Sequence, residues 1–180
     1  MDEWFERMRE KCVLNSVPVS SRETQQILKD CLERQKPLRC LEIWTALGVW
    51  TYWIWSHIRS RGWSLQTFEI SYPSYHTARR FVQSVHLTNT TCYFANILQC
   101  NLANFQTDWD FVFIDGMKSL YQDFFETVRP WCSESCVFVF DDVWAYSSRV
   151  TWLKEHCESL GYNVTELTTE PWDSLFIVRR

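Results

Sequence analysis

Cys136-Val137-Phe138-Val139-Phe140-Asp141-Asp142 is the stretch on which the fold turns. Its apolar run is unbroken, as in a strand buried on both faces, and it ends in a pair of acids. Upstream, Asp110-Phe111-Val112-Phe113-Ile114-Asp115 has the same form, an apolar strand closed by an acid. Between the two, roughly Tyr121 to Val128 is helical and stops before Pro130, since proline cannot donate the next helical hydrogen bond. Strand, helix and strand in succession, both strands doubly buried, is the building unit of a parallel sheet.

The pattern extends in both directions from this unit. Glu23 to Arg34 sets Ile27, Leu28, Cys31 and Leu32 at helical spacing, with Ser20 or Ser21 as cap and Pro37 as stop. Arg39 to Ile43 reads as a short buried strand, followed by a turn at Gly48 and a helix to about Ser60. Leu65 to Ile70 is a second strand, Ser74 to Val85 a helix after Pro73, and Thr91 to Ala95 a third strand. Downstream of the opening stretch come a helix from about Ser148 to Leu160, closed by Gly161, and two strands, Tyr162 to Leu167 and Ser174 to Val178. The expectation is an α/β fold of doubly wound, Rossmann-like type: a mostly parallel seven-stranded sheet with helices on both faces. Residues 1–180 form a single domain, of which 1–36 are a helical lead-in.

Bulk properties narrow the functional classes. With 180 residues, 46% of them hydrophobic, the chain can bury one substantial core. A net charge of -4 and 22% charged residues indicate neither a disordered acidic tail nor a polyanion-binding surface. No apolar run approaches the roughly 18 residues of a membrane span, and the N-terminus is charged from Asp2 onward; no membrane association and a cytoplasmic location are expected. The eight cysteines contain no C-x-x-C pair and are read as free thiols. The four histidines show no partner spacing and are read as structural.

The polar residues gather at strand ends. Glu42 ends strand one, Glu69 strand two, Asp115 strand four, and Asp141-Asp142 strand five. In sheets of this kind ligands bind beyond the carboxyl ends of the strands. An acid closing strand two suits the vicinal hydroxyls of a ribose, which fits either an adenosyl cofactor or NAD. No G-x-G-x-x-G follows strand one, and the acids of strands four and five have no part in hydride transfer, so NAD is the poorer fit.

Four segments resemble class I S-adenosylmethionine-dependent O-methyltransferases of the catechol and caffeoyl-CoA type, including their small bacterial relatives. These are Val17 to Thr24 before the first helix, Leu41-Glu42-Ile43 with Gly48, Phe113-Ile114-Asp115-Gly116-Met117-Lys118 with Tyr121, and Val139-Phe140-Asp141-Asp142-Val143. The resemblance covers nearly the whole chain beyond about residue 15. It implies methyl transfer from S-adenosylmethionine to a hydroxyl of a small phenolic or similar acceptor, with a modified nucleoside or tRNA as a further acceptor class and a homodimer as the assembly.

By the same resemblance, Glu42, Trp44, Thr45, Ala46, Gly48, Glu69, Asn96 and Asp115 surround the cofactor, with Glu69 on the ribose. Asp115, Asp141 and Asp142 would hold Mg²⁺ or another divalent cation, for which carboxylate oxygens are apt donors. Lys118 and Asp115 would be catalytic, Lys118 as proton acceptor. A bland reading stands beside these: Asp142 caps the next segment, and Lys118 is a solvated lysine.

One feature departs from the resemblance. Trp44, Trp63 and Trp131 stand where it implies glycine, in a chain with only 4 Gly against 11 Trp. A cofactor loop is rich in glycine because its backbone approaches the ligand closely. Two explanations follow. Either these positions are glycine codons, UGA read as tryptophan in translation, or the loop has diverged and the chain is a non-catalytic, methyltransferase-fold binding protein.

Overall fold

The computed structural model describes residues 3–14, 20–59, 62–143, 147–170 and 173–180. Val17, Pro18 and Val19 of the lead-in, and the Ser60 helix end, lie outside the described residues. The elements in chain order are α1 (Glu3–Leu14), α2 (Arg22–Gln35), β1 (Arg39–Ile43), α3 (Val49–Ile58), β2 (Ser64–Glu69), α4 (Tyr72–Ser84), β3 (Thr90–Phe94), β4 (Trp109–Ile114), α5 (Tyr121–Val128), β5 (Cys132–Phe140), α6 (Ser147–Ser159), β6 (Asn163–Glu170) and β7 (Asp173–Arg179).

The strands form one seven-stranded sheet in the order β3-β2-β1-β4-β5-β7-β6. All pairs from β3 to β5 are parallel, whereas β7 runs antiparallel to both β5 and β6. The alternation of side chains along each strand supplies two cores. Leu41, Val112, Ile114, Phe138, Phe140 and Phe176 pack against α5 and α6 through Phe124, Phe125 and Leu153. On the opposite face Cys40, Phe111, Phe113, Val137, Val139 and Ile177 pack with Leu28, Leu32, Ile54 and Phe81 of α2, α3 and α4. Helices therefore cover both faces, as the doubly apolar strands require.

Local signals explain the boundaries. Ser21 is the α2 cap, its side chain accepting from the Thr24 N–H at 3.1 Å, and Lys36 ends the helix in a left-handed conformation before Pro37. β5 begins at Cys132, earlier than its apolar run, and the register against β4 shifts between Trp109 and Phe111. The lead-in divides into two helices, and Phe5 of α1 is buried against Trp53 of α3, with ring centroids 4.6 Å apart.

Candidate cofactor and active site

β1 and β4 are neighbours, yet the helices that follow them, α3 and α5, pack on opposite faces of the sheet. Their carboxyl ends consequently open a crevice, the topological switch point where ligands of this architecture bind. The strand-end acids converge on it, and three of them are buried: Glu42 at 0%, Glu69 at 1% and Asp141 at 1% exposure.

The loop after β1 is pinned to β2. The N–H groups of Trp44 and Thr45 both donate to the Phe68 carbonyl, at 2.9 and 3.2 Å. The Thr45 and Thr67 hydroxyls lie 2.5 Å apart. Glu69 accepts from the Ala46 N–H at 2.8 Å through one carboxylate oxygen and from the Ser71 N–H at 2.7 Å through the other. Each oxygen retains a second lone pair, so the carboxylate can anchor the loop and still accept from a ligand hydroxyl. Asn96 caps a short 3₁₀ turn beyond β3, its side-chain oxygen accepting from the Leu98 N–H at 3.1 Å.

Three backbone positions of this loop are left-handed: Trp44 at φ +84°, Ala46 at +47° and Gly48 at +86°. At Gly48 the choice of residue is forced twice, because a Cβ there would also stand 3.0 Å from the Phe81 ring. At Trp44 the same backbone is held by a bulky residue, a strained combination. Trp63 and Trp131 do not share this conformation. Trp63 is a core residue at 3% exposure, and Trp131 lies 36% exposed in a 3₁₀ turn. The backbone thus gives a conformational reason for glycine at position 44 and none at 63 or 131.

Glu42 accepts from the Thr51 hydroxyl at 2.6 Å, while its other oxygen is buried and has no hydrogen-bond partner among the described residues. Burial pushes its pKa up to about 8, against the pull of Thr51 and Thr67, so the carboxyl is largely neutral at pH 7. The crevice beside it holds a pocket of about 50 Å³, lined by Phe5, Ser20, Trp44, Ala46, Trp50 and Asp115 among others.

Asp115 and Lys118 form an ion pair at 3.0 Å, and the Lys118 ammonium lies 3.6 Å from Asp142. Burial raises Asp115 to about 6 even with Lys118 beside it. For Lys118, burial pulls the pKa down, but Asp115, Asp142 and Asp141 more than offset it, and the ammonium stays charged at neutral pH. Burial also raises Asp141 and Asp142, with neighbouring carboxylates adding to the effect. Asp142 has a left-handed backbone, φ +54°, which turns the chain at the end of β5.

The carboxylates that come together within 4.8 Å are Asp141, Asp142 and Asp173, the first residue of β7. Asp115 is not in that group. Sequence reasoning passed over Asp173, and also Ser20, whose hydroxyl donates to Asp141 at 2.8 Å. Both reach the site through contacts distant in sequence; the one local signal was an acid opening the last strand.

Residues 41–143 match the family model described as a methyltransferase domain. A search of curated protein sequences gave no match. Among solved structures, a Staphylococcus aureus protein described as a candidate caffeoyl-CoA O-methyltransferase has a TM-score of 0.83 at 21% identity, covering 99% of this chain and 93% of that one. A Bacillus cereus O-methyltransferase in complex with S-adenosylhomocysteine has a TM-score of 0.81 at 20% identity, over 100% and 92% of the two chains. The Streptomyces achromogenes O-methyltransferase involved in tomaymycin synthesis, bound to S-adenosylmethionine, has a TM-score of 0.80 at 17% identity, over 99% and 90%. No helix among the described residues is long and apolar enough to cross a membrane.

Proposed function

Since the chain belongs to the methyltransferase-domain family, we propose that it moves the methyl group of S-adenosylmethionine to a hydroxyl of a small acceptor, phenolic or similar. The observation that carries this reading is Glu69, which ends β2 buried and ties down the β1 loop while keeping lone pairs for a ribose. Glu42, Thr45, Ala46, Gly48 and Asn96 form the rest of the cofactor wall, with Asp115 across the crevice. The known structures bound to S-adenosylhomocysteine and S-adenosylmethionine support the choice of cofactor over a dinucleotide.

In the transfer, the acceptor oxygen forms the new O–C bond as the S–C bond breaks. The bonding pair returns to sulfur, leaving S-adenosylhomocysteine, and the hydroxyl proton passes to the Asp115 carboxylate, since the Lys118 ammonium beside it is already fully protonated. The charged Lys118 steadies the oxygen as it becomes anionic. Asp141, Asp142 and the neighbouring Asp173 offer hard oxygen donors, and one oxygen each of Asp141 and Asp173 is buried without a hydrogen-bond partner among the described residues. That set suits a divalent cation, which would orient the acceptor hydroxyl and lower its pKa. Alignment of the two substrates is the protein's main contribution.

A second reading has one specific observation behind it: the Trp44 side chain borders a pocket of only about 50 Å³. A chain whose indole fills the cofactor space would be a non-catalytic binding protein. Calorimetric titration with S-adenosylmethionine, followed by a methyl-transfer assay on hydroxylated aromatic acceptors, separates the two. Binding with turnover supports the enzyme, and absence of both, in the chain as written and in a Trp44→Gly variant, replaces it with the second reading.

A further inference from the structure

α2 lies along the outer part of the sheet and leaves a cleft against it. Ile27, Asp30, Cys31 and Arg34 recur at i, i+3, i+4 and i+7, which sets them on one stripe of the helix. Opposite them stand Val137 of β5, Ile177 and Arg179 of β7, and Thr165 and Leu167 of the edge strand β6. Alternate residues of a strand share a face, and Thr165 pairs directly with Ile177, so these side chains form one floor. The space between is about 290 Å³, close to the lower end of the roughly 300–1,000 Å³ of small-molecule sites. It shares no lining residue with the cofactor crevice.

The helix is fixed at both ends of this space. At its start Asp173 accepts from the Ser21 N–H at 2.6 Å and the Thr24 hydroxyl at 2.7 Å. At its end the Gln35 amide donates to the carbonyls of Ser135 and Asp110, at 2.7 and 3.2 Å. From the shared start, Ser21 to Arg34 along the helix and Asp173 to Arg179 along the strand both advance about 20 Å. The two guanidiniums therefore reach the same end of the cleft. Both act on the Cys31 thiol there: burial raises its pKa, and Arg179 and then Arg34 pull it down.

The lining divides by polarity. Ile27, Val137, Leu167 and Ile177 give an aliphatic interior. Neither Arg34 nor Arg179 forms an ion pair among the described residues. Asp30, one turn before Arg34, accepts instead from the Gln26 amide at 2.8 Å. Two guanidiniums against this one carboxylate leave a single positive charge in the cleft, which a carboxylate head would balance through charge-assisted hydrogen bonds.

We propose that the cleft between α2 and the β5-β7-β6 face binds a small aliphatic monocarboxylate, its head between Arg34 and Arg179 and its chain over Val137, Leu167 and Ile177. The inference does not rest on the methyltransferase reading.

The test is calorimetric titration of the full-length protein with octanoate, and with 1-octanol as the uncharged counterpart. Octanoate is expected to bind with a Kd below about 1 mM, and Arg34→Met and Arg179→Met each to weaken it about tenfold. Both arginines are exposed, and circular dichroism checks that the variants fold. Asp30→Asn removes the opposing charge and should bind octanoate at least as tightly as the original chain. Cys31 reports the location: octanoate should slow its alkylation by iodoacetamide at alkaline pH, read by peptide mass spectrometry, and should leave Cys92 unaffected. No octanoate binding, equal affinity for 1-octanol, full affinity in both arginine variants, or unslowed alkylation of Cys31 overturns the proposal. So does a dimer in analytical ultracentrifugation in which Cys31 is already protected without octanoate, since a second copy would then occupy the cleft.

Discussion

Replacing Trp44 by glycine probes the point where sequence and backbone disagree most. A bulky residue at φ +84° carries roughly 1–2 kcal/mol of backbone strain, which glycine removes. Against that stands the loss of a partly buried indole packed on Gly116, its Cε3 only 3.1 Å from where a Cβ of Gly116 would lie. Truncating a fully buried tryptophan costs about 3–5 kcal/mol, so the half-buried indole is worth about 2. Glycine adds a backbone-entropy cost of about 0.5–1 kcal/mol. The variant should end about 1 kcal/mol less stable, a fall of about 2–4 °C in Tm for a chain of this size. Trp44→Ala loses the same contacts and keeps the strain, so it should melt below the glycine variant. Binding should move the other way. The pocket of about 50 Å³, which Trp44 helps to line, is far below the roughly 300–1,000 Å³ of ordinary ligand sites, and loss of the indole is expected to enlarge it. Calorimetry with S-adenosylhomocysteine should show at least tenfold tighter binding to Trp44→Gly, about 1.4 kcal/mol. Equal binding by the original chain, or an alanine variant more stable than the glycine one, would refute the reasoning.

Sequencing the gene at codon 44 should show UGA decoded as glycine; UGG there ends the recoding idea, and codons 63 and 131 follow the same logic without a conformational argument behind them. Glu42 gives a pH signature. Its folded pKa of about 8 lies above the unfolded value of 4.5, so the folded chain holds the extra proton between them, and stability declines as pH rises through that window by about 1.4 kcal/mol per unit. Glu42→Gln should flatten this slope in urea melts of the ligand-free protein at pH 5, 6.5 and 8; an unchanged slope means the buried carboxyl is not its source. Glu69→Ala should weaken S-adenosylhomocysteine at least tenfold, since it removes both the loop anchor and the ribose acceptor; calorimetry reads this directly. Lys118→Met should lower kcat by about 10²–10³-fold. Lys118→Arg should recover part of that if the lysine acts by charge, and none if it acts as the proton acceptor, a distinction that a kcat profile against pH sharpens.

The sheet was largely legible because its strands are buried on both sides. Phe111 to Ile114 and Val137 to Phe140 are apolar at every position, which leaves a doubly covered parallel sheet as the main way to bury them. The last two strands were legible as strands but not in their pairing. β6 mixes exposed and half-buried positions, a pattern that fits an edge strand of either direction, and the short stretch of sequence between Leu167 and Ser174 was the one hint that the last strand doubles back. The separate α1 was missed because its apolar residues are few, and Phe5 finds its place only against α3.

The site divides along the same line. Glu42, Glu69 and Asp115 could be read because each lies at the carboxyl end of its own strand, and parallel topology sends all such ends to one edge. Asp173 could not, since an acid at the start of a strand ordinarily belongs to the opposite edge; only the reversal of β7 against β5 brings it beside Asp141. Asp115 pairs with Lys118 at 3.0 Å. The sequence reading gave metal ligation to Asp115, Asp141 and Asp142 and proton transfer to Lys118 and Asp115, so that Asp115 stood in both sets. The tryptophans make the complementary point. A residue type out of place is visible in sequence at 44, 63 and 131 alike, but the backbone conformation that makes it costly exists at position 44 alone among the three.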